Sequence, residues 1–237
     1  MSGTTKERPI LFSGPMVRAI IAGQKTVTRR LVKMPRLLVV DGISPAGIRC
    51  SRPTGSTGER LLTCPYGVQG DRLWLRERFA PVDSTGHTCA IRDANFVVLS
   101  DGAQVYRDGT VGAALPKYAQ GAFDGIIWRP SIHMPRWASR ILLEVVSVRV
   151  ERLHAITDED AQREGLSRLS KDGGRVWKYG IPDRDGLPGN DDDGWHWKEW
   201  SASARTAFST LWDKINGPRS PWASNPWVWR VEFRRVA

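Results

Sequence analysis

Long apolar runs are missing from this chain of 237 residues: no stretch of about 18 consecutive apolar residues occurs, which argues against a membrane-spanning helix. The opening Met1-Ser2-Gly3-Thr4-Thr5-Lys6-Glu7-Arg8 also lacks the apolar heart of a signal peptide. It reads as a polar leader over 1–8, and a cytoplasmic protein is expected. Cysteine is scarce. Cys50, Cys64 and Cys89 are an odd three, with no CxxC pair and no histidine at zinc spacing, so neither a disulfide framework nor a structural zinc is suggested. His87, His133, His154 and His196 stand singly, as ordinary polar residues rather than ligands. No metal and no cofactor is expected. Acidic residues are in deficit, 25 against 35 Lys and Arg, which leaves a net charge of +10 and a pI near 10.0. No lysine-arginine block or basic tail carries that excess, so it describes a basic folded surface and raises the expectation of an anionic partner: nucleic acid, nucleotide or phosphate.

What is present is ordinary for a globular chain, with 41% hydrophobic and 25% charged residues. No internal repeat occurs and no segment separates into a second unit, so one domain over 9–237 is expected. Three polar excursions interrupt it, at about 35–65, 81–125 and 167–200.

The most site-like stretch is Gly23-Gln24-Lys25-Thr26-Val27-Thr28-Arg29-Arg30. Before it, Met16 to Ala22 reads as a short helix with Ser13 at its N-cap and Pro15 in its first turn. Gly23 is where that helix stops, because glycine takes the left-handed position past a C-cap without a Cβ penalty. Lys25 and Thr28 point to opposite faces of a strand, so a joint role for them implies an irregular backbone here. Lys25, Arg29 and Arg30 read equally as a solvated basic rim.

Arg72 to Phe79 is an alternating strand after a Gly70-Asp71 turn. Period two puts Leu73, Leu75, Glu77 and Phe79 on one face and Arg72, Trp74, Arg76 and Arg78 on the other. Glu77 is therefore a carboxylate on an apolar face, which is costly unless paired; alternatively the alternation breaks there and Glu77 pairs with a neighbouring arginine. Short strand-like pieces at 89–91, 96–99 and 104–106 suggest a small antiparallel appendage. The connection Trp128 to Ser139 packs two prolines, two tryptophans and two arginines, which suits a rigid loop near a ligand or a plug for the end of a barrel.

The longest strand signal runs from Arg140 to Leu153. A short helix follows, with Thr157 as N-cap, Asp160 in capping-box position and Gly165 as the stop. In the third excursion, expected to be mobile at its centre, Asp191-Asp192-Asp193 precedes Trp195, Trp197 and Trp200, which either stack bases or pin the loop to the body. Arg205 to Ile215 is a helix with Ala207, Phe208, Leu211, Trp212 and Ile215 as one apolar stripe. Trp227 to Phe233 closes the chain as a strand with Trp227, Trp229, Val231 and Phe233 on its core face.

These motifs carry a resemblance. Gly23-x-Lys25-x-x-Thr28-x-Arg30, the Gly70 to Glu77 strand and the final aromatic strand resemble the ASCH domain family. Cys64-Pro65-Tyr66-Gly67, Ser131 to Arg140, Leu211-Trp212-Asp213 with Asn216-Gly217, and Asn225 to Trp229 are similar to its larger phage and prophage members. The resemblance implies an α+β fold built on a PUA-like β-barrel, with flanking short helices and long loop insertions. It also implies one of two functions. One branch hydrolyses the amide of N4-acetylcytidine with a lysine, a threonine and a glutamate that match Lys25, Thr28 and Glu77, without a metal. Other members are proposed to bind RNA, and some are reported as ribonucleases.

Amide hydrolysis needs a nucleophile, a base and an acid for the leaving amine. Thr28, neutral Lys25 and Glu77 fill those roles, with Arg29, Arg30, Arg76, Trp74 and Trp137 expected to hold substrate. The expected activity is a metal-independent amidohydrolase acting on an N4-acylated cytosine nucleoside or related base. The alternative is a module that binds RNA or a modified base without chemistry, and a structural phage component is the bland reading.

Overall fold

The computed structural model describes residues 5–34, 39–44, 47–51, 60–99, 102–112, 127–189 and 194–236. In chain order its main elements are β1 (Glu7–Leu11), α1 (Gly14–Ile21), β2 (Val27–Leu31), β3 (Val39–Ser44), β4 (Gly47–Ser51), β5 (Arg60–Leu62), β6 (Arg72–Arg76), β7 (Phe79–Val82), β8 (Phe96–Leu99), β9 (Gln104–Tyr106) and β10 (Val111–Gly112). They continue as β11 (Leu142–Arg152), α2 (Asp158–Arg163), β12 (Ser167–Leu169), β13 (Lys178–Gly180), α3 (Ala204–Asn216) and β14 (Trp227–Arg235). The architecture is mixed α+β. No helix among the described residues is long and apolar enough to cross a membrane.

The central sheet runs β1-β6-β11-β14-β2, with β1 and β6 parallel and every other pair antiparallel. Among the described residues no pairing joins β1 to β2, so the sheet is open at both edges. Alternation explains its core: Leu73 and Leu75 of β6, Leu143 and Val145 of β11, and Val231 and Phe233 of β14 are buried. β14 departs from simple alternation. Val228 and Arg230 on its other face are also buried, Arg230 against Asp160 of α2.

α1 connects the two edge strands, and its end follows the expectation closely. Gly23 has φ +72°, Gln24 N–H donates to Ala19 O at 2.8 Å, and Gly23 N–H donates to Ile20 O at 3.0 Å, the paired bonds of a Schellman cap. Ser13 occupies the N-cap position without a side-chain capping bond. Lys25 then lies in the irregular stretch 24–26 between that turn and β2, and Thr28 lies on β2.

Two excursions hold sheets of their own among the described residues, the second where a small antiparallel appendage is expected. The first holds the antiparallel sheet β3-β4-β5, which buries Ile48 and Cys50 in the main core. The second holds β7 to β10, a four-stranded antiparallel sheet with its own small core of Phe79, Val97, Leu99, Val105 and Met134. The expected piece at 89–91 is irregular chain that enters a turn at Ile91 rather than a strand. In the third excursion β12 and β13 pair, Trp195 and Trp200 are buried in the main core, and Trp200 Nε1 donates to Trp195 O at 3.0 Å. These tryptophans pin the loop. Asp191 to Asp193 lie outside the described residues.

Candidate active site

A cavity of about 590 Å³ opens between α1, the start of β2, the end of α2 and one face of α3. Lys25, Thr28, Arg29, Arg30 and Glu164 form its polar floor, while Phe12, Trp195, Phe208, Leu211, Trp212 and Ile215 form apolar walls. The α3 stripe thus serves two purposes: Ala207, Phe208 and Trp212 are buried, whereas Ile215 is 61% exposed at the cavity's edge.

Lys25 and Thr28 are 4% and 3% exposed. Lys25 Nζ donates to the backbone oxygen of Glu164 at 2.7 Å and to its Oε2 at 2.8 Å. Burial pushes Lys25 below its ordinary value of 10.5; the carboxylate of Glu164 opposes that shift, and the charges of Arg30 and Arg29 add to it. Arg30 Nη2 donates to Leu11 O at 2.5 Å and its guanidinium stands 4.9 Å over Phe12, while Nε is buried with no acceptor among the described residues. Desolvation lowers its pKa as well.

Glu164 was not legible as a site residue. It ends α2, whose N-cap Thr157 accepts from Asp160 N–H at 3.2 Å as expected. Gly165 follows at φ +98°, and a Cβ there would stand 3.1 Å from Ala19 Cβ and 3.2 Å from Lys25 Cβ. Glycine therefore lets α2 press its last turn onto Lys25. Gly165→Ala is expected to cost about 1–3 kcal/mol in backbone strain and crowding and to displace Lys25 from Glu164. Thermal unfolding and turnover measured together check this.

Glu77, grouped with Lys25 and Thr28 by the motif resemblance, is not among the residues that line this cavity. The alternation did place it inward, at 2% exposure. Its carboxylate, however, receives Arg140 Nε at 3.1 Å and Nη2 at 2.9 Å, from a segment 63 residues away rather than a strand neighbour. Arg76, Trp74 and Trp137 are likewise outside the cavity lining. Trp74 lies under Arg76, and Trp137 packs on the smaller core beneath Arg107.

Arg29 lines the cavity but its guanidinium faces three carboxylates: Glu151 at 2.7 Å, Asp160 at 2.6 Å and Glu164 at 3.3 Å. Its role is to hold Glu164 in position. Asp160 does not complete a capping box; it receives Arg230 through two hydrogen bonds of 2.9 and 3.0 Å. Arg230 continues to Glu232 at 3.0 Å, and Glu232 pairs with Arg163. Lys25 is thus the inner end of a buried ion-pair chain that ties α2 to β2, β11 and β14. No cluster of three or more His, Cys, Asp or Glu suited to a metal occurs among the described residues. Comparison with protein-family models, with curated proteins and with solved structures finds no match to this chain.

Proposed function

We propose that this protein is an amidohydrolase acting on an N4-acylated cytosine nucleoside or a related modified base, with Thr28 as nucleophile, Lys25 as base and Glu164 as acid. The observation that carries the reading is the convergence of a buried lysine, a threonine hydroxyl and a lysine-bound glutamate on one aromatic-walled cavity. The motif resemblance to the ASCH family supports it at Lys25 and Thr28. The reading extends to the fold: the open sheet β1-β6-β11-β14-β2, with α1 linking its edge strands, is offered as the core of a PUA-like barrel.

The chemistry closes on the Lys25–Glu164 pair. Passing a proton from the ammonium to the carboxylate yields a neutral base and a neutral acid together, and the burial that lowers Lys25 eases the release of its proton. Neutral Lys25 accepts the Thr28 Oγ proton as Oγ bonds to the acyl carbon. When the carbon–N4 bond breaks, Glu164 donates its proton to N4, so the pair ends in its charged form with an acyl ester on Thr28. Water then cleaves the ester by the same route, and the carboxylic acid leaves. Arg30 Nε stands ready as a donor to a substrate oxygen.

The test is chromatographic: purified protein, without added metal, against N4-acetylcytidine and its deoxy and longer-acyl analogues. Release of the free cytosine nucleoside with one equivalent of carboxylic acid is expected. No release from any analogue would defeat the reading.

The pH dependence carries a sign. In the wild type the active pair holds one proton, so kcat/KM should fall when that proton leaves, on an alkaline limb below pH 10.5 because burial depresses Lys25. In Glu164→Gln no pair remains and Lys25 must start neutral, so the limb should reverse and rise with pH. Its midpoint should also lie lower than the wild type's, since Glu164 raises Lys25. The pH–rate profiles of the two proteins decide it.

A further inference from the structure

We propose that a patch of arginines seated on tryptophans, at the end of β6 and on the 127–139 connection, binds the sugar-phosphate backbone of a single-stranded nucleic acid whose modified base enters the cavity. The identity of the base rests on the hydrolase reading; the backbone site does not.

The face of β6 opposite its core carries Trp74 and Arg76, and Arg78 follows two residues on, as the alternation requires. Arg76 stands 4.5 Å over Trp74, and Arg78 stands 5.3 Å over Trp128. Guanidiniums resting on indole faces lose little freedom on binding, and apart from the bond of Arg76 Nη1 to Ile132 O no side-chain hydrogen bond occupies the N–H groups of Arg76 and Arg78 among the described residues, which suits the paired oxygens of a phosphodiester. Among the described residues neither Arg76, Arg78 nor Arg129 has a carboxylate at ion-pair distance, unlike Arg29, Arg163, Arg230 and Arg234. The nearby carboxylates are already taken, Glu7 by Arg136 and Glu77 by Arg140, each at 2.9 Å.

A second observation points to an absent acceptor. Arg76 Nε and Arg129 Nε are both buried with no acceptor among the described residues, an arrangement that costs free energy unless something supplies one. The patch also joins the cavity. Arg76 Nη1 donates to Ile132 O at 3.0 Å, and the adjacent Ser131 lines the cavity wall. A chain of phosphates over the arginines would therefore lead its base to the aromatic walls. The net charge of +10 agrees in sign.

Fluorescence anisotropy of labelled RNA and DNA single strands of about 12 nucleotides, from roughly 50 to 300 mM salt, tests the patch. Wild type should bind with a steep salt dependence. Arg78→Gln/Arg129→Gln should weaken binding at low salt at least about tenfold and lower the log–log slope by about 1.4, near 0.7 for each lost phosphate contact. Exposed Arg78→Glu alone should act in the same direction in a protein of unchanged Tm, and Lys171→Gln, outside the patch, should not. Wild-type affinity and slope in the arginine variants would overturn the proposal. So would displacement by polyglutamate as effective as by unlabelled oligonucleotide. N4-acetylcytidine turnover separates the two claims. Turnover without oligonucleotide binding removes the patch alone, whereas patch-dependent binding without turnover of any acyl nucleoside or oligonucleotide removes the hydrolase reading and leaves the patch.

Discussion

Thr28→Ala is expected to leave a folded protein that releases no nucleoside. The residue is buried on β2, and trading its hydroxyl and methyl for a single methyl costs the core little beside the main sheet's interactions. On the proposed mechanism the change removes the covalent step altogether, and in hydrolases that act through a covalent nucleophile its loss lowers kcat on the order of 10⁴-fold or more. Thr28→Ser, which keeps the oxygen, should recover part of the rate. Product analysis against acyl cytidines, with Tm measured alongside, checks both. Retained turnover in Thr28→Ala would mean that the Lys25–Glu164 pair activates water directly.

Asp160→Ala is expected to be the most destabilising single change. Asp160 accepts from Arg230 through both oxygens and from Arg29 at 2.6 Å, so its removal takes a carboxylate from two buried guanidiniums and leaves Arg230 with Glu232 and Arg29 with Glu151 and Glu164. Breaking a buried pair in this way costs about 3–5 kcal/mol; at about 2–4 °C per kcal/mol for a chain this size, Tm should fall by roughly 6–20 °C. The sign with pH follows. Hydrogen bonds from Arg230 first, then from Arg29, hold the Asp160 carboxyl well below the usual carboxylate range. A depressed folded value means its contribution is present above the ordinary value of 3.8 and is lost as pH falls below it toward the folded value. Urea unfolding from pH 7 to pH 3 should therefore show a steeper acid loss in wild type than in Asp160→Ala. Equal slopes would place the acid sensitivity elsewhere.

Much of the frame was legible because it is periodic. The alternation of β6 and β14, the long run of β11, the stripe of α3 and the caps at Thr157 and Gly23 each follow from side-chain spacing or from one residue's backbone preference. Long-range partnership was not. Glu164 lies 139 residues from Lys25 and nothing local names that contact, although a carboxylate in the last turn of a short helix, against the dipole and ahead of a glycine, is a signal of its own. Glu77 shows the converse: its inward direction was readable from period two, but its partner Arg140 came from another segment. The tryptophans of the third excursion were readable as anchors or as stacking platforms, and only their burial decides between the two. The exposure of Ile215 was hidden because an apolar stripe looks the same whether it meets a core or lines a cavity.

The measurement that bears most directly on the site is kcat/KM for N4-acetylcytidine in Glu164→Gln and Glu77→Gln, each normalised to folded protein. Glu164→Gln should lose a factor on the order of 10² to 10⁴, the usual worth of a positioned acid, while Glu77→Gln, for all its lost pairing with Arg140, should stay within a few-fold of wild type. Full activity in Glu164→Gln with collapse in Glu77→Gln would contradict the proposed site and return the acid to Glu77.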